Sequence, residues 1–330
     1  MHINLSRRCR LAAAAAVALG SFLPPAFAQD TWPSKSITYV VPFTPGGSTD
    51  IIGRTVSQKL SEALKQPVVV ENKPGAAGAV GAAYVAKSKP DGYTLFGGTI
   101  STHAINASLY KNLPYDPQKD FEPVTLVATL PNVLYVAPSS GINSVADLVA
   151  VLKKDAGKRT FASSGSGTST HLAGELFADL IGVELRHVPY KGTPPAMLDV
   201  SSGQVTFMFD QVTAGLSLVQ GGKLKMLAVT TAKRMPLVGQ IPTMIESGVK
   251  DFDMSSWQAI YAPKGTPAPI VQRLNAEIVK ILRSPDVADK LGKQLGMEIV
   301  ASTPAELGAH MAKEIPRWAA LVKKSGATAD

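Results

Sequence analysis

Cysteine is almost absent from this chain. The only one among its 330 residues is Cys9, close to the N-terminus. With a single thiol the chain can form no internal disulfide, and a cysteine nucleophile or thiolate metal site farther along is excluded. Stability must therefore come from an apolar core, and roughly 300 residues beyond the N-terminal region suffice for two domains of about 150 residues each.

Histidine is scarce as well, and the motifs of several enzyme classes are missing. The four histidines after position 100 show neither H-x-x-H nor H-E-x-x-H spacing: His103, His171, His187 and His310. The chain also lacks the G-x-S-x-G nucleophile elbow and the G-x-x-x-x-G-K-[ST] phosphate loop. We therefore expect no metal, no cofactor and no catalytic residue.

Long apolar runs are confined to the first residues. Arg7, Arg8 and Arg10 precede the apolar run Leu11–Leu19, and Ala26–Ala28 supplies an A-x-A pattern. This is typical of a secretory signal peptide, so we expect residues 1–28 to be removed after Ala28 and the protein to be periplasmic. The arginine pair partly matches a twin-arginine signal, but Cys9 and Arg10 fit that motif poorly, which favours the general secretory route.

The charge of the chain carries little functional information. The formal net charge is +8, and three of the 33 basic residues lie in the predicted leader. The other basic residues are dispersed and are not interleaved with aromatic ones. This pattern predicts a solvated surface and no nucleic-acid partner.

Short apolar β-rich runs, mostly followed by glycine or proline and then by a helical pattern, recur along the chain. Such βα units predict a mostly parallel sheet. The order seen from strand Ile37–Val41 onward is repeated from Arg159–Ala162 onward, which indicates two βα domains of similar topology. Two capped C-terminal helices, beginning near Thr266 and Thr303, have no sheet of their own and are expected to pack on the first domain.

The chain should therefore cross between its domains twice, near 130–138 and near 257–263. We expect lobe 1 to comprise residues 29–130 and 258–330, and lobe 2 to comprise residues 131–257. Two crossings make a hinge about which a cleft can close.

The first candidate site is the loop Phe43–Asp50, between a buried strand and a helix. Gly46 and Gly47 allow a close turn, and Ser48, Thr49 or Asp50 can cap the helix. The helix N-terminus and its hydroxyls can receive a ligand carboxylate, whereas the alternative is an ordinary helix start satisfied by its own cap.

The second candidate site is the hydroxyl-rich loop around Gly165 and Gly167. It contains Ser164, Thr168 and Ser169, and it ends at His171. Such a loop is either an anion receptor or a solvated turn. His171 is either a ligand contact or a structural hydrogen-bonding residue.

Four further side chains follow strand ends or lie beside these loops. Asp210 ends an apolar strand, where it either accepts a ligand hydrogen bond or caps the next helix. Ser101 holds the matching position in the first domain. Tyr190 is a candidate wall of the cleft, and Phe43 either covers an apolar ligand or belongs to the core.

Taken together, these segments resemble the periplasmic solute-binding proteins of tripartite tricarboxylate transporters, the Bug family. The matching pieces run in order through nearly the whole chain beyond the leader: Val40–Asp50, Glu71–Gly78, Pro90–Leu95, Leu113–Pro117, His187–Gly192, Gly203–Val205, Leu227–Arg234, Ile241–Thr243 and Ala262–Pro267. The resemblance implies an α/β periplasmic-binding-protein type II (Venus flytrap) fold. It also implies a carboxylate held between the loops Phe43–Asp50 and Ser164–His171, and delivery to large and small permease subunits.

We therefore interpret the chain as a monomeric, non-enzymatic receptor that captures a small organic acid. Two alternatives remain open at this point. The receptor could present its ligand to a sensor protein, or the chain could be a secreted hydrolase that uses Ser164, Ser166 or Ser169 with His171. The spacing of those serines argues against the hydrolase.

Overall fold

A computed structural model describes residues 32–325. Residues 35–325 belong to one compact unit, and residues 32–34 are assigned to a separate one. The predicted signal peptide and its cleavage site after Ala28 lie outside the described residues.

Ten strands in the described chain form one mixed sheet. Their order is β2-β1-β3-β9-β4-β7-β5-β6, and β8 and β10 also pair with β4. The strands are β1 Ile37–Val41, β2 Val68–Asn72, β3 Thr94–Thr99, β4 Phe121–Val136, β5 Thr160–Ser163, β6 Arg186–Pro189, β7 Phe207–Gln211, β8 Lys225–Val229, β9 Ser255–Pro263 and β10 Glu298–Ile299. The expectation of a mostly parallel sheet is wrong, because β4 and β9 run antiparallel to the strands that they pair with.

The helices connect these strands as βα units. They are α1 Ser48–Leu64, α2 Ala79–Ala86, α3 Asn106–Leu109, α4 Val145–Lys154, α5 Ser169–Ile181, α6 Thr193–Ser201, α7 Val212–Gln220, α8 Ala268–Leu282, α9 Pro285–Val287 and α10 Pro304–Ser325. A π-helical turn, Ser101–Ile105, precedes α3, and another, Ala288–Gln294, follows α9. No helix among residues 32–325 has the length and apolar character needed to cross a membrane.

The predicted order of strands and helices is confirmed, but at β4 the structure has one long strand where the sequence predicts two. The sequence indicates two short strands, Val124–Thr129 and Val133–Val136, separated by Pro131. The structure has one strand of 16 residues that runs through this proline. The N-terminal part of β4 pairs with β9, and its C-terminal part pairs with β7 and β8. One continuous strand therefore joins two halves of the sheet.

The first half of the sheet contains β1, β2, β3 and β9, and the second contains β5, β6, β7 and β8. Within each half the βα strands are parallel, as β1 is to β2 and β3, and as β5 is to β6 and β7. The carboxyl ends of these parallel strands open onto the loops at Phe43, Ser101, Ser164, Tyr190 and Gln211, which is where α/β sheets present ligand groups.

The C-terminal helices return to the first half of the sheet. Helix α8 packs against α1 and β4, and α10 packs against β4 and the turn Ser101–Ile105. The buried carboxylate of Glu314 in α10 accepts hydrogen bonds from the indole N–H groups of Trp257 and Trp318, at 3.0 Å and 2.9 Å. The bond to Trp257 ties α10 to β9, whereas Trp318 lies in α10 itself. Both bonds help to offset the cost of burying the carboxylate.

Candidate functional site

The loop after β1 ends at a helix whose N-terminus has no side-chain cap. Gly47 is the N-cap residue of α1 and offers no hydroxyl or carboxylate to the first-turn N–H groups. Gly46 has φ +91°, a left-handed conformation that glycine adopts without steric cost. The first helical residues, Ser48 and Thr49, are buried. The α1 N-terminus can therefore accept an anion from outside the helix.

Asp50 lies in the first turn of α1, and its carboxylate holds the loop Phe43–Asp50 in shape through hydrogen bonds. One carboxylate oxygen accepts from the Gly46 N–H at 3.0 Å and from Arg54 Nε at 2.9 Å, and the other accepts from Asn72 Nδ2 at 2.9 Å. The same Asn72 amide donates to the Phe43 carbonyl at 3.0 Å. Burial acts to raise the pKa of Asp50, but these hydrogen bonds together hold it below its ordinary value.

The loop after β5 is held by its own hydroxyls. Thr168 caps α5 by accepting from the His171 N–H, and its hydroxyl donates to the Gly165 carbonyl at 2.7 Å. The Ser164 N–H donates to Thr170 Oγ1 at 2.9 Å. A hydrogen bond joins this loop to the first half of the sheet at Ser169, whose N–H donates to Ser101 Oγ at 3.3 Å. The hydroxyl density noted in the sequence thus mainly fixes the shape of the loop.

His171 is a buried structural partner of this loop. Its Nδ1 accepts from the Gly167 N–H at 3.1 Å, and its Nε2 lies 3.2 Å from Glu175 Oε1. Its ring stacks on His187, with 3.8 Å between the ring centroids. His187 in turn bonds Ser163 Oγ at 2.6 Å, and burial and then the charge of His171 lower the pKa of His187 to about 3. Both rings therefore support the loop from within the protein.

A small inner chamber of about 30 Å³ lies where the two loops meet. All the residues of its lining are uncharged: Phe43, Thr44, Gly47, Ser48, Thr49, Thr99, Ser101, Ser164, Ser169, Thr193, Gln211, Ser256 and Gln258. Ser48, Ser169 and Thr193 are the first residues of helices α1, α5 and α6, and Gln211 is the N-cap residue of α7. Four helix N-termini therefore meet at the chamber and give it a positive potential without a basic side chain.

A chain of hydrogen bonds closes one side of the chamber. Gln258 Nε2 donates to Ser48 Oγ at 2.8 Å, and the Ser48 hydroxyl donates to Gln211 Oε1 at 3.0 Å. Two buried atoms of the lining have no hydrogen-bond partner within residues 32–325, namely Thr44 Oγ1 and Gln258 Oε1. Because unpaired buried polar atoms are costly, these two atoms point to a ligand group at this place.

Asp210 lies directly behind the chamber. Its carboxylate accepts from Thr193 Oγ1 at 2.6 Å and from the Gln211 N–H at 2.7 Å. Complete burial raises the pKa of Asp210 to about 6, although both hydrogen bonds act to lower it. Asp210 therefore holds two chamber residues in place and carries a charge that depends on pH near neutrality.

An outer cavity of about 730 Å³ shares Phe43, Thr44 and Ser164 with the chamber. The remaining residues of its lining are Gly75, Ala76, Ala77, Gly78, Tyr110, Gly165, Ser166, Pro189, Tyr190, Lys191 and Pro195. Lys191 is the one charged residue in this lining, and it is exposed. The shared residues make the two cavities parts of one site.

The structure brings together many of the residues that the sequence predicts. Nine of them line the chamber or the outer cavity: Phe43, Gly47, Ser48, Thr49, Ser101, Ser164, Gly165, Ser169 and Tyr190. Six others lie outside both linings: Gly46, Asp50, Gly167, Thr168, His171 and Asp210. Most of these six support the loops through the hydrogen bonds described above.

Sequence reasoning missed several chamber residues. Thr193 and Gln211 follow a glycine turn and a strand end, so the rule that identified Asp210 could have found them. Ser256 and Gln258 lie inside β9, which crosses the site, and a strand interior carries no local signal for ligand contact. Thr44 lies within the predicted loop, but it was not singled out there.

Comparison with known proteins settles the family. Residues 52–327 match the family model described as "Tripartite tricarboxylate transporter family receptor". The chain belongs to this family. The fold is that of its receptors, as the solved structures show.

Three solved structures illustrate the likeness. An R. palustris protein in a structure with adipate is 39% identical, with a TM-score of 0.87, and the match covers 90% of this chain and 99% of that one. The periplasmic binding protein BugD is 38% identical, with a TM-score of 0.86 and coverage of 90% and 99%. MatC from Rhodopseudomonas palustris, with bound malate, is 33% identical, with a TM-score of 0.84 and coverage of 88% and 100%. The resemblance to the Bug family is thereby confirmed.

Proposed function

We propose that this receptor captures a small organic acid by holding its carboxylate in the inner chamber. The observation that carries the proposal is the convergence of four helix N-termini on an uncharged lining that contains the unpaired hydroxyl of Thr44. Backbone N–H groups and hydroxyls stabilise a carboxylate through charge-assisted hydrogen bonds, which are stronger where water is excluded. The adipate and malate of the two relatives agree with a ligand of this class.

The residues proposed to contact the carboxylate are those of the lining with hydroxyl or backbone donors. From α1 they are Ser48 and Thr49, and from α5 Ser169, with Ser101, Ser164 and Thr44 beside them. Gly46, Asp50, Gly167, Thr168, His171 and Asp210 are proposed to act through these residues, since they lie outside the linings.

The proposal includes a cleft between two lobes, residues 29–130 with 258–330 and residues 131–257, hinged near 130–138 and 257–263. The hydrogen bonds Ser48–Gln211 and Ser101–Ser169 would then join the two lobes when the cleft is closed. A chamber of about 30 Å³ has room for little more than a single small group, so an acid must enter before the lobes close and extend into the outer cavity.

The acid would be taken up in the periplasm, after removal of the leader at Ala28, and handed to the large and small subunits of a permease. The family description names the transporter, and BugD is described as periplasmic, which supports this part of the proposal. Presentation of the ligand to a sensor protein is the second candidate, and transport assays with the neighbouring permease genes deleted separate the two.

Catalysis is not part of the proposal. Both ring nitrogens of His171 are engaged, by the Gly167 N–H and by Glu175, so the ring does not activate Ser164, Ser166 or Ser169. The Ser163–His187 pair has a short bond, but Ser163 is fully buried and lies outside both cavity linings. The related proteins are receptors as well.

The test is calorimetric titration of protein that has been unfolded and refolded to remove any carried ligand. We expect at least one carboxylate among adipate, malate and aromatic acids to bind, and Thr44→Val to weaken that binding by roughly 10-fold or more, as for a lost hydrogen bond to a charged group. Thr38→Val, on β1 and outside both linings, is the matched control and should bind as the parent does. If the folded protein binds no acid of this panel, the proposal is wrong.

A further inference from the structure

The outer cavity differs in chemistry from the chamber that it adjoins. Its walls include the rings of Phe43, Tyr110 and Tyr190 together with two prolines and two alanines. Acidic side chains do not contribute to its described lining, and Lys191 lies exposed at its surface. A group that extends from the chamber into this cavity therefore meets mainly apolar and aromatic surface.

Tyr190 presents ring surface more than a hydrogen-bonding group. The hydroxyl of Tyr190 already donates to Asp199 Oδ2. Burial, together with the bond to Asp199 and the charge of that carboxylate, raises the pKa of Tyr190 to about 12, so the phenol stays neutral. Tyr110 directly follows α3, a helix that comes after β3 in the first half of the sheet, and its side chain is partly buried. Such rings favour flat apolar partners, because aromatic rings in stacked or edge-to-face contact attract each other beyond the area that they bury.

The floor of the cavity is a strained turn. Ala76 and Ala77 have φ +47° and +50°, and Gly75 and Gly78 flank them with φ +135° and +85°. The left-handed region is unfavourable for alanine, because its Cβ lies too close to the following carbonyl oxygen. Gly78 is required by close packing as well, because an added Cβ would lie 2.7 Å from Thr102 Cγ2. Strain of this kind is retained where the backbone forms a ligand surface, and here both alanines line the cavity.

We infer that the preferred ligand is a carboxylate with an aromatic body, whose ring lies between Tyr110 and Tyr190 while its carboxylate occupies the chamber. This inference rests on the proposed function and names its substrate class. Tyr110 and Tyr190 are then the residues that determine specificity. Compact hydroxylated acids such as malate would place their hydroxyl groups against walls of the outer cavity that offer few hydrogen-bond partners. They would also leave most of that cavity filled with water, so we expect them to bind more weakly.

The experiment compares 3-phenylpropionate with malate by calorimetric titration of the refolded protein. We expect 3-phenylpropionate to bind at least 10-fold more tightly. The double change Tyr110→Ala with Tyr190→Ala should reduce this preference at least 5-fold, because it weakens the binding of 3-phenylpropionate more than the binding of malate. Tyr84→Ala, an exposed tyrosine outside both linings, should leave the preference unchanged. If the double variant fails to fold, Tyr110→Ala alone is measured, with a reduction of at least 2-fold expected.

Each outcome is decisive. Malate binding as tightly as the aromatic acid, or a preference unaffected by the tyrosine changes, overturns the inference while leaving carboxylate capture intact. Loss of affinity for both acids alike shows that the tyrosines act on folding or closure and also overturns it. Absence of binding by either acid and by adipate contradicts the proposed function itself.

Discussion

The hydroxyl of Ser48, at the start of α1, donates to Gln211 Oε1 at the end of β7 across a distance of 3.0 Å. These two residues are 163 positions apart and belong to different halves of the sheet, and both line the chamber. Gln258 on β9 donates to the same hydroxyl. One serine thus links both halves of the sheet at the wall of the proposed ligand site.

Ser48→Ala is expected to weaken ligand binding about 10-fold. The change leaves Gln211 Oε1 and Gln258 Nε2 without this partner in the closed cleft, and unpaired buried polar groups cost about 1–3 kcal/mol each. The measurement is the dissociation constant by calorimetry. Ser88→Ala is the control, because Ser88 lies just beyond the end of α2 and outside both linings, and its hydroxyl donates to the Tyr84 carbonyl. Equal affinities of parent and Ser48→Ala would show that this contact does not stabilise the bound state.

Asp50→Asn is expected to destabilise the protein by about 1–2 kcal/mol at pH 7, because its hydrogen bonds to Gly46, Arg54 and Asn72 lose a charged acceptor. The folded pKa of Asp50 is depressed, so its contribution is present above the unfolded pKa of about 3.9 and is lost as pH falls through the folded value.

Urea denaturation of both proteins at pH 7 and at pH 3 measures this difference, which should shrink at the lower pH. Asp289→Asn removes an exposed carboxylate beside Lys293 and should change stability by less than about 0.5 kcal/mol. A parent-to-variant difference that is the same at both pH values would contradict the role assigned to the charge of Asp50.

Asp210 should make ligand binding depend on pH. Its folded pKa of about 6 lies above the unfolded value, so the folded protein holds an extra proton between about pH 4 and pH 6. Stability contributed by that proton is present at low pH and is lost as pH rises through 6. An anion in the adjacent chamber raises the pKa of Asp210 further, so affinity should increase as pH falls from 8 to 5.

The measurement is a pH series of dissociation constants for an acid whose own pKa lies below that range, or with correction for its ionisation. Asp210→Asn should flatten the series, because the titrating group is gone. An unchanged slope in the variant would assign the pH dependence to another group.

His171→Leu is expected to cost about 1–3 kcal/mol of stability, because the buried Gly167 N–H loses its acceptor. His171→Asn keeps an acceptor near that position and should recover part of the loss. Thermal unfolding of the three proteins tests this order. If the leucine and asparagine variants are equally stable, the histidine acts through packing alone.

Much of the architecture could be predicted from local sequence patterns, but features that depend on contacts with distant segments could not. A glycine turn and an apolar period predict a helix from about Ser48 to Leu64, and α1 occupies that range. Pro131 suggested a break, yet β4 continues through it, since its partners on either side hold the strand. The alanine-rich segment predicts a helix from about Ala77 to Ser88, but α2 begins only at Ala79, because Ala76 and Ala77 adopt left-handed conformations.

The candidate site shows a similar limit. Hydroxyls and glycines marked both loops, but sequence could not distinguish side chains that line the cavities from those behind them. Asp50 and His171 carry the chemistry that suggests a contact, yet hydrogen bonds formed on folding turn them toward their own loops. Gln258 reaches the chamber only because β9 crosses between the halves of the sheet, which is a property of topology.

The most direct test is a crystal structure of residues 29–330, refolded without ligand and grown with a carboxylate that binds in calorimetry. The account predicts density for the carboxylate in the inner chamber, within hydrogen-bond distance of Thr44 and the N-termini of α1 and α5, with the body of the acid in the outer cavity. An acid bound elsewhere, with the chamber filled only by solvent or protein, would contradict it.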